Sequence, residues 1–100
     1  MIIHNIAFKV GGDDPQVKEE QITEVSRRIL DLEGKVSGLR SMSIGRDLGR
    51  VDGHFDIVLI TTHDTYEDLE SYQAHPLHAD VIAYGKTIFV DRACVDYEVP

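Results

Sequence analysis

The stretch "FDIVLITT", residues 55–62, decides the fold because it is apolar on both of its alternating faces. Side chains of a strand point alternately to the two sides of a sheet. One side carries Phe55, Ile57 and Leu59, and the other carries Val58 and Ile60. Helices can bury one of these faces, and the other face must be buried by a different surface. The segment is therefore predicted to be a strand that is covered on both sides.

Three other segments show the same two-residue alternation of strands. They cover residues 2–10, 39–47 and 87–97. The first has one strongly apolar face, on which His4 lies with Ile6 and Phe8. The last carries apolar residues on both faces, as residues 55–62 do. Four strands are therefore predicted, two of them with two apolar faces.

Two helical segments separate these strands. Asp14 is predicted to cap the first helix, with Pro15 in its first turn, because a carboxylate accepts from free N–H groups and proline needs no partner there. In the second segment, the spacing of Asp64 and Glu67 predicts a capping box. Pro76 interrupts this segment, since the residue before a proline is driven out of helical conformation.

The element order is β-α-β-β-α-β, an α+β arrangement typical of the ferredoxin-like fold, with a four-stranded antiparallel sheet and helices on one face. A single chain would leave the other, apolar face in water. We therefore expect a homodimer formed through the sheet faces, and a charge at Leu59 is expected to dissociate or unfold it. The whole chain, residues 1–100, is predicted to be one domain.

Composition narrows the classes of partner and location. A net charge of −8, with 10 scattered Lys and Arg residues, argues against nucleic acid and anionic membrane partners. No apolar run approaches the roughly 18 residues of a membrane span, and residues 1–10 lack the basic start of a secretory signal, so a cytoplasmic location is expected. The single cysteine, Cys94, excludes an intrachain disulfide, and its alternating apolar surroundings predict a buried thiol.

Five stretches of the chain carry a resemblance to a known family. They are "IIHNIAFKV", "KVSGLRSMSIGRD", "FDIVLITT", "YEDLESYQAHPLH" and "VDYE". In these stretches the chain resembles the stress-responsive A/B barrel family, whose members are dimeric α+β barrels. The resemblance implies a pocket between helices and sheet. Some plant members are polyketide cyclases, and other members are stable proteins with no known reaction.

The resemblance also implies site residues. In the cyclases, a histidine of an "HPxH" segment acts with a tyrosine of the preceding helix, and these positions are His78 and Tyr72 here. The histidine of the first strand falls on His4. A third-strand histidine of the cyclases falls on Asp56, and a first-helix tyrosine falls on Ile29. These two departures predict a pocket of a different shape.

The stretch "YQAHPLHADV", residues 72–81, has chemistry of its own. A histidine can remove a proton next to a carbonyl, and a tyrosine hydroxyl can orient that base or donate to the developing oxygen. His78 and Tyr72 are therefore the candidate catalytic residues. The candidate binding residues are His4, Ile6, Phe8, Asp56 and His75. In the alternative interpretation the His-Pro step caps a helix and His78 fills a polar gap in the core.

Two classes of function stay open at this point. The first is an enzyme or binding protein for a small carbonyl or aromatic compound, with His/Tyr acid–base chemistry. The second is a non-catalytic structural or stress-associated dimer, and a weaker third option is a cofactor-free oxygenase. His4, His75, His78 and Asp56 could suit a metal, but they lack the one-turn spacing of "HExxH" motifs. No metal and no cofactor is therefore predicted.

Overall fold

Four strands and three helices build the protein, and the computed structural model describes all residues from 1 to 100. The elements are β1 (Ile2–Val10), α1 (Pro15–Leu30), β2 (Ser41–Arg46), β3 (Ile57–His63), α2 (Tyr66–Ala74), α3 (Pro76–Gly85) and β4 (Phe89–Glu98). This order confirms the predicted ferredoxin-like arrangement, with the second helical segment divided in two. The bounds of β1 agree with the prediction, and those of the other strands move by one or two residues at each end.

The sheet is antiparallel, with the strand order β2-β3-β1-β4. The central strand β1 pairs with both β3 and β4, so β4 is an edge strand held by β1 alone. In this pairing His4 lies opposite Asp96, and Ile6 lies opposite Cys94. Directly opposed residues share a face of the sheet. The pairing therefore places the side chains of Asp96 and Cys94 on the face of the sheet that the helices cover.

The predicted start of α1 is confirmed. The Asp14 carboxylate accepts a hydrogen bond from the backbone N–H of Gln16 at 2.9 Å, and Pro15 is the first helical residue. The helix ends at Leu30, before Gly34, which takes a positive φ of 78° in the turn that follows. The apolar stripe of α1, formed by Ile22, Val25 and Ile29, is buried against the sheet.

The predicted capping box at Asp64 is wrong. The cap of α2 is Thr65, whose hydroxyl accepts from the backbone N–H of Asp68 at 3.1 Å. The Asp64 carboxylate instead pairs with the guanidinium of Arg40, 2.6 Å away. A threonine is also a good cap, and the helix begins one residue later than the acidic spacing predicts.

The hydrophobic core lies between the helices and one face of the sheet. Leu59 belongs to this core, with 6% of its surface exposed. Leu59 therefore faces the helices and not a partner chain, so of the two expected effects of a charge at Leu59 the structure favours unfolding over dissociation. Val58 and Ile60 are the residues of β3 that point away from them. No helix of the structure combines the length and the apolar character that crossing a membrane requires.

Candidate functional site

A cavity of about 770 Å³ opens between the helices and the inward face of the sheet. This volume lies within the range of about 300–1,000 Å³ that is typical of small-molecule sites. Its wall includes seven residues that matter for the chemistry: His4, Ile6, Phe8, Tyr72, His78, Cys94 and Asp96. The sheet contributes residues of β1 and β4, and the helices α2 and α3 contribute the aromatic pair.

The rings of Tyr72 and His78 meet because the chain bends between the end of α2 and the start of α3 at Pro76. Their ring centroids are 4.7 Å apart in an edge-to-face arrangement. Tyr72 is 1% exposed, and burial raises the pKa of its hydroxyl to about 12. The hydroxyl therefore stays protonated at neutral pH and can serve as a hydrogen-bond donor.

His78 is the second aromatic residue of this pair. Burial lowers the pKa of its imidazole, because a charged ring loses its hydration. The ring is therefore neutral at neutral pH, the form that can accept a proton. Its Nδ1 atom is buried and has no hydrogen-bond partner. A buried polar atom without a partner costs free energy, and a hydrogen bond at this nitrogen would recover that cost.

His4 is held by Asp96 on the opposite wall of the cavity. The Nδ1 atom of His4 lies 2.5 Å from Oδ1 of Asp96. A carboxylate can only accept a hydrogen bond, so Nδ1 carries the proton and donates it. The lone pair of a neutral His4 is then on Nε2. His4 is 6% exposed, as the alternation of β1 predicts, whereas the Asp96 side chain is 36% exposed.

Cys94 lies beside this pair, and the prediction of a buried thiol is wrong. The residue is exposed, because β4 is an edge strand and little covers it. Its Sγ atom is 3.6 Å from Nδ1 of His4 and 3.6 Å from Oδ1 of Asp96. Partial burial, together with the Asp96 carboxylate, raises the pKa of the thiol. The thiol is therefore protonated at neutral pH and is a poor nucleophile.

His63 is a further histidine that the sequence analysis missed. It is fully buried behind Tyr72, with the two ring centroids 5.2 Å apart. Its Nδ1 donates to the backbone carbonyl of Gly38 at 2.5 Å, and its Nε2 accepts from the hydroxyl of Thr61 at 2.8 Å. Burial lowers the pKa of His63, so its ring is neutral at neutral pH. This neutral ring packs against the ring of Tyr72. Its inward position in the alternation of β3 could have revealed it.

Two of the predicted binding residues lie away from the cavity wall. The Asp56 carboxylate precedes β3, accepts from the backbone N–H of Val10 at 2.7 Å and lies 3.7 Å from Nζ of Lys18. His75 caps α3, where its Nδ1 accepts from the backbone N–H of Leu77 at 3.1 Å. The fold thus brings together His4, Ile6, Phe8, Tyr72 and His78, but neither Asp56 nor His75 joins them.

Comparison with known proteins identifies the family of this chain. The model of the stress responsive A/B barrel domain matches residues 2–99. The chain belongs to this family. The match spans nearly the whole chain, so the A/B barrel domain includes every residue of the cavity wall described above.

Solved structures with the same fold include two dimeric proteins of unknown function. A dimeric protein of unknown function with a ferredoxin-like fold from Bacteroides fragilis is 28% identical, with a TM-score of 0.86 over 98% of this chain and 95% of that chain. A dimeric ferredoxin-like protein from Thermobifida fusca is 24% identical, with a TM-score of 0.83 over 98% and 90% of the two chains.

A hydroxynitrile lyase from Passiflora edulis is more distant. It is 18% identical to this A/B barrel chain, with a TM-score of 0.77 over 99% of this chain and 94% of that chain. At this level of identity the similarity shows a common fold and nothing more. No protein of curated function matches the chain in sequence.

Proposed function

We propose that this A/B barrel protein binds a small carbonyl or aromatic compound in the helix-covered cavity and transfers protons on it. The observation that carries the proposal is that one cavity wall holds a protonated tyrosine beside a neutral histidine, Tyr72 and His78, with rings 4.7 Å apart. These protonation states match the roles of hydrogen-bond donor and general base. The Passiflora edulis protein with this fold is a hydroxynitrile lyase, which supports the proposal that the fold can carry out a reaction on a small molecule.

The proposed step begins with a substrate whose carbonyl lies near Tyr72. His78 removes a proton from the carbon next to the carbonyl, and the electron pair of that C–H bond moves onto the carbonyl oxygen as an enolate. The Tyr72 hydroxyl donates a hydrogen bond to this oxygen, which lowers the energy of its developing charge. Protonated His78 then returns the proton to the same carbon or to a neighbouring atom.

His4 is the second acid–base group of the proposed site. Because Asp96 fixes the proton on Nδ1, the ring offers Nε2 as an acceptor and becomes a cation when it takes a proton. The adjacent carboxylate orients the imidazole, as a carboxylate does for the base of hydrolytic triads. The apolar residues Ile6 and Phe8 line the floor of the cavity and suit an apolar or aromatic substrate.

Proton exchange tests this proposal, because any substrate activated in this way exchanges the proton next to its carbonyl with solvent. A panel of small ketones and acyl phenols is incubated with the protein in deuterated water, and deuterium at that carbon is measured by NMR. The proposal predicts enhanced exchange for at least one compound, and a loss of about 100-fold in His78→Ala. Tyr72→Phe should reduce exchange while keeping the ring. His54→Ala, which removes an exposed histidine, is the matched control.

Binding without exchange would leave the alternative function, a non-catalytic dimer. Enhanced exchange that persists in both Tyr72→Phe and His78→Ala would show that the cavity is not the site of the chemistry. The melting temperature of each variant separates a loss of activity from a loss of fold.

We also propose that two chains associate through the outward face of the sheet. Apolar side chains cover this face: Ile3, Ala7, Val58, Ile60, Ala93, Val95 and Tyr97. Val95 and Tyr97 are 64% and 47% exposed in the single chain. A large apolar face of this kind is typical of an association surface. The dimeric proteins from Bacteroides fragilis and Thermobifida fusca support a dimer here, and the apolar face is the surface that we propose for it.

A further inference from the structure

We propose that His4, Cys94 and Asp96 form a binding site for a divalent transition-metal ion, for which zinc is the best match. The three side chains come from two adjacent strands and point to the same side of the sheet, where His4 faces Asp96 and Cys94 lies two residues before Asp96. This site shares His4 and Asp96 with the proposed proton-transfer site, but it needs no organic substrate and its test is independent of that proposal.

The distances between the donor atoms fit a tetrahedral ion. Ligands bound to zinc at about 2.0 Å for nitrogen and oxygen and about 2.3 Å for sulfur lie roughly 3.3–3.6 Å from one another. The Cys94 Sγ atom is already 3.6 Å from Nδ1 of His4 and 3.6 Å from Oδ1 of Asp96. The nitrogen and the oxygen are 2.5 Å apart because they share a hydrogen bond. An ion would replace that bond and widen the separation by about 0.8 Å.

The chemistry of the donors favours zinc over calcium or magnesium. One imidazole, one thiolate and one carboxylate form a borderline-soft set, whereas calcium and magnesium prefer oxygen ligands alone. Three protein ligands with one open position are typical of zinc sites at which a further molecule can bind. Here the cluster forms part of the cavity wall, so the open position is accessible from the cavity.

The surroundings of the cluster provide both an anchor and an entry path. His4 is buried and held in place by the central strand, whereas Cys94 and Asp96 are exposed on the edge strand and can be reached from solvent. On the opposite wall of the cavity, Nδ1 of His78 is buried without a partner.

The proton balance of binding can be stated for each ligand. The thiol of Cys94 loses its proton to solvent when the thiolate binds the ion. The proton on Nδ1 of His4 must move to Nε2, because Nδ1 becomes the ligand atom. Asp96 is already a carboxylate and releases no proton. Binding of one ion therefore releases one proton and changes the tautomer of His4.

Cobalt(II) alone is the probe for this site, since it adopts zinc geometry and reports thiolate ligation by a charge-transfer absorption band. The metal-free protein is titrated with Co²⁺ and followed by absorption, and Zn²⁺ is then added to displace the cobalt. The proposal predicts one Co²⁺ per chain, with a thiolate band and intense visible bands of a tetrahedral ion, all abolished by Zn²⁺.

Two ligand variants and one control complete the test. Cys94→Ser should abolish the thiolate band. Asp96→Asn should weaken Co²⁺ binding by about 10- to 100-fold or more, because loss of a residue that only supports a metal ligand already costs that much. Both residues are exposed, and circular dichroism establishes that each variant is folded. His54→Ala removes an exposed imidazole beside Asp47, and it should leave binding unchanged.

The proposal is overturned if Co²⁺ gives no thiolate band, or if the band survives in Cys94→Ser. Binding that Asp96→Asn does not weaken, or that His54→Ala abolishes, would also overturn it, because the ion would then lie elsewhere on the surface.

Discussion

The imidazole of His4 and the carboxylate of Asp96 meet across two neighbouring strands, with Nδ1 2.5 Å from Oδ1. The histidine is buried and the carboxylate is partly open to solvent. This contact gives the cavity a histidine with a defined tautomer, because the carboxylate can only accept. It also connects the central strand β1 to the edge strand β4.

The tautomer of His4 can be observed directly. Asp96→Ala removes the acceptor of Nδ1, so we expect the ring ¹⁵N resonances of His4 in metal-free protein to shift from the Nδ1–H form toward the Nε2–H form. NMR of selectively labelled histidine measures this change. Asp47→Ala is the matched control, because it removes the carboxylate 3.1 Å from the exposed His54. Unchanged His4 resonances in Asp96→Ala would contradict the assignment of the proton.

Stability should decrease as pH falls from 7.5 to 5. Burial lowers the pKa of both His63 and His78 below the ordinary value of 6.5, so the unfolded chain takes up protons at a higher pH than the folded chain does. The stabilisation is fully present above pH 6.5 and is lost as pH falls below that value. Urea unfolding at several pH values measures the unfolding free energy.

The variant His63→Gln identifies the source of this pH dependence. Glutamine offers a donor and an acceptor but does not titrate, so the slope between pH 5 and 7.5 should become shallower. His54→Gln changes an exposed histidine, and its slope should match that of the native chain. If the native chain is equally stable at both ends of the range, the two buried histidines do not make this contribution.

Leu59 and Ile60 are adjacent in β3 but should respond to substitution in opposite ways. Leu59→Ala leaves a cavity in the core, so we expect a loss of about 2–5 kcal/mol in unfolding free energy with no change of assembly. Ile60→Asp places a charge on the outward face and should convert a dimer into a monomer of 11.2 kDa. Light scattering and urea unfolding measure the two effects. A native chain that is monomeric at micromolar concentration would refute the proposed assembly.

His75 should matter for stability and not for ligands. His75→Ala removes the cap of α3, with an expected loss of about 0.5–2 kcal/mol. His75→Asp supplies another side-chain acceptor for the N–H of Leu77 and should recover most of that loss. Thermal unfolding compares the three proteins. If His75→Ala lowers proton exchange more than His78→Ala does, the two histidines have been given the wrong roles.

The sequence could predict those parts of the fold that depend on neighbouring residues. The alternation of residues 2–10, the cap at Asp14 and the break at Pro76 each arise from local backbone and side-chain physics, and all three are present in the structure. The inward position of His4 also follows from alternation alone. Leu59 shows the limit of this reasoning, because alternation gives two faces without stating which one the helices cover.

The rest of the site depends on contacts between distant parts of the chain. Asp96 and Cys94 reach the cavity because β4 pairs with β1 in one particular register, which no local pattern encodes. Their acidic and thiol side chains could equally lie on an exposed strand edge. Asp56 shows the converse error, since it precedes β3 and hydrogen-bonds to the end of β1 instead of pointing into the cavity.

The pairing of β1 with β4 also sets when the site can exist during synthesis. His4 and Asp96 are separated by 92 positions, so the ribosome must complete the whole span between them before the two side chains can meet. Contacts of such long sequence separation form late, because closing a long loop has a high entropic cost. A nascent chain that stops before β4 has neither the carboxylate that orients His4 nor the thiol of Cys94. The His4–Asp96 contact thus depends on the synthesis of β4, whereas Tyr72 and His78 are only six positions apart and precede β4.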